Sequence, residues 1–290
     1  MSHTIRLRSG EAVADIALHG AELRAWSVAG RALIWSPDPA VWADTAPILF
    51  PVVGWTRDGS VRVDGQSYPL GLHGFARAMR FRIAAQEADW ACLMLDASDE
   101  SRTVFPFDFS LAVTFRLTAD ALRTELTIHN TGTGAMPYAC GLHPGFCWPF
   151  AGGTPEDYAI DFAESEASTV PMIAPDGLFT RQRRRVPIDG PRLALSEALF
   201  AREALCFLEA KSRSLRFAHR DDAAITVTLE DFPHIALWAR PGGRFLSIEA
   251  WTGHGDMEDS DGDLWKKPSM IQLEAGTTRR HAATYAFTPG

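Results

Sequence analysis

Short segments in which apolar and polar residues alternate dominate the chain. "TIRLRS", "VADIAL", "RFRIAAQEA", "WACLMLDA", "FSLAVTFRLT", "ALRTELTIHN", "AITVTLE", "HIALWAR" and "RFLSIEAW" follow this rule, bounded by Gly, Pro, Asp or Asn. Alternation of period two turns one face to a core and the other to solvent, the pattern of half-buried antiparallel strands. Helical periodicity is scarce. Its best instance is "LSEALFAREALCFLEA", where Ser196 is placed to cap and Leu199, Phe200, Ala204 and Leu205 form a short apolar stripe. Only a second sheet or closure buries so many alternating faces, so the pattern predicts an all-β sandwich or a related architecture with few short helices. No internal repeat or linker breaks it, and the expectation is one domain over residues 1–290.

The alternation is most informative in "HIALWARPGGRFLSIEAW", where Pro241-Gly242-Gly243 marks a turn between two strand segments. A tight turn sets Arg240 opposite Phe245, Trp238 opposite Ser247, Ala236 opposite Glu249 and His234 opposite Trp251, all on one face. The other face carries Ile235, Leu237, Ala239, Leu246, Ile248 and Ala250, which is unmixed core material. Glu249 therefore cannot enter that core without flipping the whole register. It shares its face with Trp238, Phe245 and Trp251, opposite the small Ala236. Two readings stay open: a solvated glutamate on a wet sheet face, or a carboxyl group whose aromatic walls raise its pKa toward that of a useful base.

Composition adds exclusions. The hydrophobic fraction of 46% and charged fraction of 22% suit a globular protein with a sizeable core. A net charge of -8 argues against nucleic acid as a partner, because such binding needs clustered cations. The basic run "RQRRR", Arg181 to Arg185, reads as a solvated loop or strand edge. No apolar run reaches the roughly 18 residues of a membrane span, and the N-terminal segment with Arg6, Arg8, Glu11 and Asp15 lacks a signal-peptide core. The expectation is a cytoplasmic protein without membrane contacts, whose Cys92, Cys140, Cys147 and Cys206 are reduced thiols.

Two histidine segments stand out, "GLHGFAR" (Gly71 to Arg77) and "GLHPGF" (Gly141 to Phe146). Pro144 pushes His143 into an extended conformation, while Gly141 and Gly145 permit unusual backbone angles beside it. Gly71 and Gly74 let a ligand or strand approach His73 closely. Each histidine reads either as a structural hydrogen-bonder or as a group for a ligand.

Taken together these pieces resemble the aldose 1-epimerase (galactose mutarotase) family, nearest its bacterial branch. The likeness is carried by "ILFPVVG" (Ile48 to Gly54), "RDGSVRVDGQSYPLGLHGFAR" (Arg57 to Arg77), "YACGLHPGF" (Tyr138 to Phe146), "FLSIEAWTG" (Phe245 to Gly253) and "SMIQLEAGTTRRHAATYAF" (Ser269 to Phe287), in the family's order. The resemblance implies a large antiparallel β-sandwich, the galactose mutarotase-like supersandwich, acting on a small-molecule sugar in an open cleft with no metal and no cofactor. It implies an isomerase that interconverts the α and β anomers of a free aldose, with Glu249 as general base and His143 as general acid on either side of the sugar ring. His73 would bind near the reacting oxygen, with Trp238 as an apolar platform and Arg57, Arg77 or Arg240 as hydroxyl donors. The family often carries an arginine near "VVGWTRDG"; here Trp55 follows Gly54 and Arg57 stands two residues on. The family's acidic sugar-binding residue has no match.

Three rivals follow from the same residues. A hexose-6-phosphate epimerase would draw its anion site from Arg57, Arg77 and Arg80. A non-catalytic carbohydrate-binding protein would share the fold without the turnover. A metalloenzyme would use Cys140, His143 and Cys147, although that spacing is not a usual zinc pattern. The acidic "DMEDSDGD", Asp256 to Asp263, reads as a solvated loop rather than a calcium site, since Leu264 stands where the EF-hand glycine belongs.

Overall fold

In the computed structural model, which describes residues 4–290, the alternating segments build a nine-stranded sheet. Its order is Arg192–Ala194, Tyr158–Phe162, Ser214–His219, Ala224–Glu230, Thr278–Thr288, Ala121–Asn130, Phe109–Leu117, Trp90–Asp96 and Arg82–Gln86. Every pairing in it is antiparallel. Burial alternates residue by residue along Phe109–Leu117 and Ala121–Asn130, so one face is dry and the other wet.

A six-stranded sheet covers the dry face. Its path runs Leu205–Phe207, His234–Trp238, Phe245–Trp251, Gly141–Leu142 and Ile48–Leu49, with Gly145–Cys147 also pairing to Phe245–Trp251. Aromatic contacts tie the two layers: Phe146 meets Tyr285 with ring centroids 5.3 Å apart, and Phe50 meets Phe109 at 5.0 Å. A four-stranded sheet from Thr4–Ser9 to Arg31–Ala32 and three two-stranded ribbons complete the sheets, among them the hairpin of Thr169–Ile173 and Phe179–Arg185. The architecture is the galactose mutarotase-like sandwich.

The hairpin 234–251 has the register that the alternation predicts, with His234 opposite Trp251, Ala236 opposite Glu249 and Trp238 opposite Ser247. Ile235, Leu237, Ala239, Leu246, Ile248 and Ala250 all enter the main core. A slip of one residue would eject these side chains, and each large one contributes roughly 1.5–3 kcal/mol by its burial, so the register is firmly held. The ladder ends at Trp238. Arg240 leaves it to donate to the carbonyl of Val41 at 2.7 Å, so it does not pair with Phe245.

The helix expected over 196–210 does not form. A 3-10 turn spans Glu197–Phe200, and the chain then extends into the strand Leu205–Phe207, paired to His234–Trp238. A sheet edge with open backbone groups outweighs the modest intrinsic preference of so short a stripe. The basic run lies on the strand Phe179–Arg185, mostly exposed, but Arg184 turns inward and donates to the carbonyls of Leu199, Glu203 and Ala204.

Candidate active site

On the far side of the six-stranded sheet the outward face of the hairpin forms the floor of a cavity of about 460 Å³. Gly141 pairs with Trp251 and Leu142 with Ala250, and on the other side of His143 Gly145 pairs with Ser247. That single register sets His143 directly across from Glu249. One row of the sheet therefore reads His143, Glu249, Ala236, Cys206. His143 Nε2 lies 3.3 Å from Glu249 Oε2.

The glycines around His143 act through space rather than through backbone angle, since neither adopts a positive φ. A Cβ at Gly141 would sit 2.9 Å from Trp251 Cδ1, and one at Gly145 would sit 2.6 Å from the ring of Trp42. The bare Gly145 lets Trp42 close on the histidine, and the bare Gly141 leaves room for Trp251. Trp42 and Trp238 flank His143 with centroids at 5.1 and 5.6 Å, and both pack on Phe245.

Glu249 is 2% exposed and has no lysine or arginine within ion-pair distance. Its Oε2 accepts the Trp251 indole N–H at 3.0 Å. Burial pushes its pKa well above the usual carboxylate value, against the smaller opposing effect of that hydrogen bond. Burial likewise pushes His143 down to about 3, helped by the nearby positive charge of Arg77. Burial thus disfavours the charged form of each group.

His73 reaches the same cavity on a strained backbone, with φ of 63°. Gly74 follows it because a Cβ there would lie 2.3 Å from the carbonyl oxygen of Phe50. His73 Nδ1 accepts the backbone N–H of Gly54 at 3.1 Å. The remaining ring nitrogen then carries the hydrogen and serves as a donor. Desolvation first, then the proximity of His143, keeps this ring neutral.

Arg77 and Trp238 also line the cavity, and Arg77 is bound to Asp44 at 3.2 Å. Arg57 does not reach it. Its guanidinium donates to the carbonyls of Glu258 and Ser260, and its backbone N–H to Asp256. The 3-10 turn Arg57–Gly59 breaks any alternation after Gly54, so Trp55 takes the cavity rim, 45% exposed, while Arg57 faces the 256–260 loop. Trp42, Asp44, Trp55 and Glu203 line the cavity without having been singled out as contacts from sequence. Trp55 alone had a signal, as the residue standing where the family often has arginine.

Cys140 and Cys147 do not join His143. Cys147 Sγ donates to the Ile34 carbonyl, Cys140 lies beside Thr252 in the main core, and no metal-binding group of three or more such side chains occurs among the described residues. Nor is 256–263 simply solvated. Asp256 is buried against Lys267 at 2.7 Å, Asp259 pairs with Arg181, and Asp261 and Asp263 share Lys266. Among the described residues no helix is long and apolar enough to cross a membrane.

A mutarotase-like sandwich with a carboxyl and an imidazole side by side under tryptophan walls is the class that fold and cavity define. The profile of the family described as aldose 1-epimerase matches residues 3–260. The plasmid protein LacX of Lactococcus lactis subsp. lactis is 30% identical over 255 residues, covering 84% of this chain and 85% of its own. Among solved structures, a galactose mutarotase related enzyme from Lactobacillus acidophilus is similar with a TM-score of 0.92 and 27% identity, over 99% of this chain and 98% of its own. A galactose mutarotase-like protein from Lactobacillus casei gives 0.91 and 25%, over 99% and 100%. The chain belongs to the aldose 1-epimerase family.

Proposed function

We propose that the protein interconverts the α and β anomers of a free aldose, with Glu249 as base and His143 as acid. The observation that carries this reading is their 3.3 Å contact at the floor of an open, tryptophan-walled cavity. The sequence-based picture put the two groups on opposite sides of the sugar ring; they touch instead. Anomer exchange accommodates this, because the two oxygens that trade protons, O1 and the ring oxygen, are bonded to the same carbon.

Glu249 as carboxylate takes the O1 proton, the C1–O1 bond becomes a carbonyl, the bond from C1 to the ring oxygen breaks, and His143 as imidazolium protonates the departing oxygen. After rotation about the C1–C2 bond the ring oxygen attacks the other face of C1, returning its proton to His143 while Glu249 returns the first proton to O1. Each proton transfer contributes about 10²- to 10⁴-fold. At the open-chain stage Glu249 is an acid and His143 is neutral, which is the charge state that burial favours. Proton exchange along the 3.3 Å contact converts that state to the ion pair that opens the ring.

His73 supplies a donor beside the reacting centre, while Trp42, Trp55 and Trp238 offer faces for the sugar's C–H groups. A free sugar fits better than a sugar phosphate. Of Arg57, Arg77 and Arg80, only Arg77 lines the cavity, and Asp44 already holds it; the other lining arginine, Arg240, donates to the carbonyl of Val41. Polarimetry on free hexoses and their 6-phosphates tests the assignment: acceleration with free sugars is expected, acceleration confined to the phosphates would replace it, and binding without acceleration with any sugar would make this a carbohydrate-binding protein.

A further inference from the structure

Both ring nitrogens of His143 are engaged. Nε2 faces Glu249, and Nδ1 lies 2.8 Å from Ser247 Oγ. Ser247 is fully buried, and its hydroxyl also lies 3.0 Å from the carbonyl oxygen of Pro144. A hydroxyl has one hydrogen and a carbonyl oxygen only accepts. Once that hydrogen is given to Pro144, Oγ can only accept from the ring, so Nδ1 must carry the hydrogen.

At the other end of the ring, Nε2 lies 3.3 Å from Glu249 Oε2, which also accepts the Trp251 N–H. With the hydrogen on Nδ1, a neutral ring leaves Nε2 bare and facing the carboxyl group. The remaining neighbours do not compete for either nitrogen. His73 stands edge-on at 5.5 Å, the rings of Trp42 and Trp238 lie at 5.1 and 5.6 Å with no hydrogen bond to the imidazole, and the charge of Arg77 only disfavours a second proton on the ring.

We infer that Ser247 is a positioning residue: anchored by the Pro144 carbonyl, it holds neutral His143 as the Nδ1–H tautomer and leaves Nε2 free to exchange a proton with Glu249 and the sugar. The backbone makes the relay possible. Ser247 is two residues before Glu249 on the same strand face and pairs with Gly145, so one strand supplies both the base and the group that orients the acid. The catalytic consequence rests on the acid/base reading above. Without the hydroxyl, Nδ1–H loses its acceptor and the hydrogen moves to Nε2, where it blocks the proton path.

The test is nitrogen NMR of histidine-labelled protein near neutral pH, with His143 assigned by its loss in His143→Asn. The wild type should show protonated Nδ1 and bare Nε2, and Ser247→Ala should shift the ring toward Nε2–H. In the same variant kcat should fall about 10- to 100-fold with KM within about twofold, and Ser247→Thr should recover much of both signals. A wild-type ring protonated at Nε2 overturns the assignment, as does a Ser247→Ala protein whose tautomer and kcat are unchanged. Equal loss in kcat and KM reduces Ser247 to a structural contact and also overturns it. Because the tautomer is read without turnover, a protein with the Nδ1–H ring and no mutarotase activity would refute the proposed reaction and not this hydrogen-bond assignment.

Discussion

Glu125 and Glu249 occupy equivalent places in their strands, each at a polar position of an alternating segment whose other face feeds the core. Glu125, on Ala121–Asn130, keeps 28% of its side chain exposed and lies 3.1 Å from Arg123 and 3.9 Å from Arg280. Glu249 has neither solvent nor a strong cation, only an indole N–H and an imidazole. One carboxyl group therefore sits among cations at a partly wet surface, while the other is buried away from them. A dry wall without a compensating cation is what gives a strand glutamate the raised pKa that the proposed acid/base role needs.

Neutralising the two side chains should separate the regions most sharply. Glu249→Gln should lower the mutarotation rate about 10²- to 10⁴-fold with sugar binding largely kept, because the amide preserves shape and loses the base. Polarimetry and equilibrium binding measure the two arms; a rate within a few-fold of wild type would erase the distinction drawn here. Next in size, His143→Asn should cost about 100-fold in kcat and less in KM. Trp238→Ala should act mainly on binding, raising KM about 3- to 10-fold through the lost ring face.

A pH series sharpens the comparison without substrate. Glu249 is raised above its ordinary value of 4.5, so the stability it contributes is complete below that value and is lost as pH rises through the raised one. Glutamine cannot ionise, so Glu249→Gln should gain in Tm on the wild type as pH is taken from about 5 to about 9. A Tm difference flat across that range would show that the carboxyl is not held neutral. His143 runs the other way: its depressed pKa of about 3 makes its contribution complete above 6.5 and lost as pH falls toward 3. Smallest of all, Glu125→Gln should change stability by less than about 1 kcal/mol, with turnover within about twofold, since an exposed ion pair contributes little.

Much of the fold was legible because alternation is a local property. Each strand announces its own wet and dry faces, and the turn at Pro241-Gly242-Gly243 pins the register of the hairpin 234–251. The helical stripe at 196–210 misled because it, too, was judged locally. Its fate was decided by the open edge of His234–Trp238, which no window of that segment contains. Arg57 failed similarly: proximity to the family motif says nothing about which side of the chain faces the cavity.

By itself, the sequence determined the sheet-rich class, the core face of the hairpin and the face on which Glu249 stands, since each follows from nearest-neighbour periodicity and from a large penalty for reversing it. Whether that second face was wet or dry was decided only in three dimensions, by Trp42 and the 169–185 hairpin arriving from distant parts of the chain. Tertiary pairing of Gly141–Leu142 and Gly145–Cys147 with Phe245–Trp251 also brought His143 against Glu249. Desolvation is a sum over everything that surrounds a group, so no local pattern can encode it.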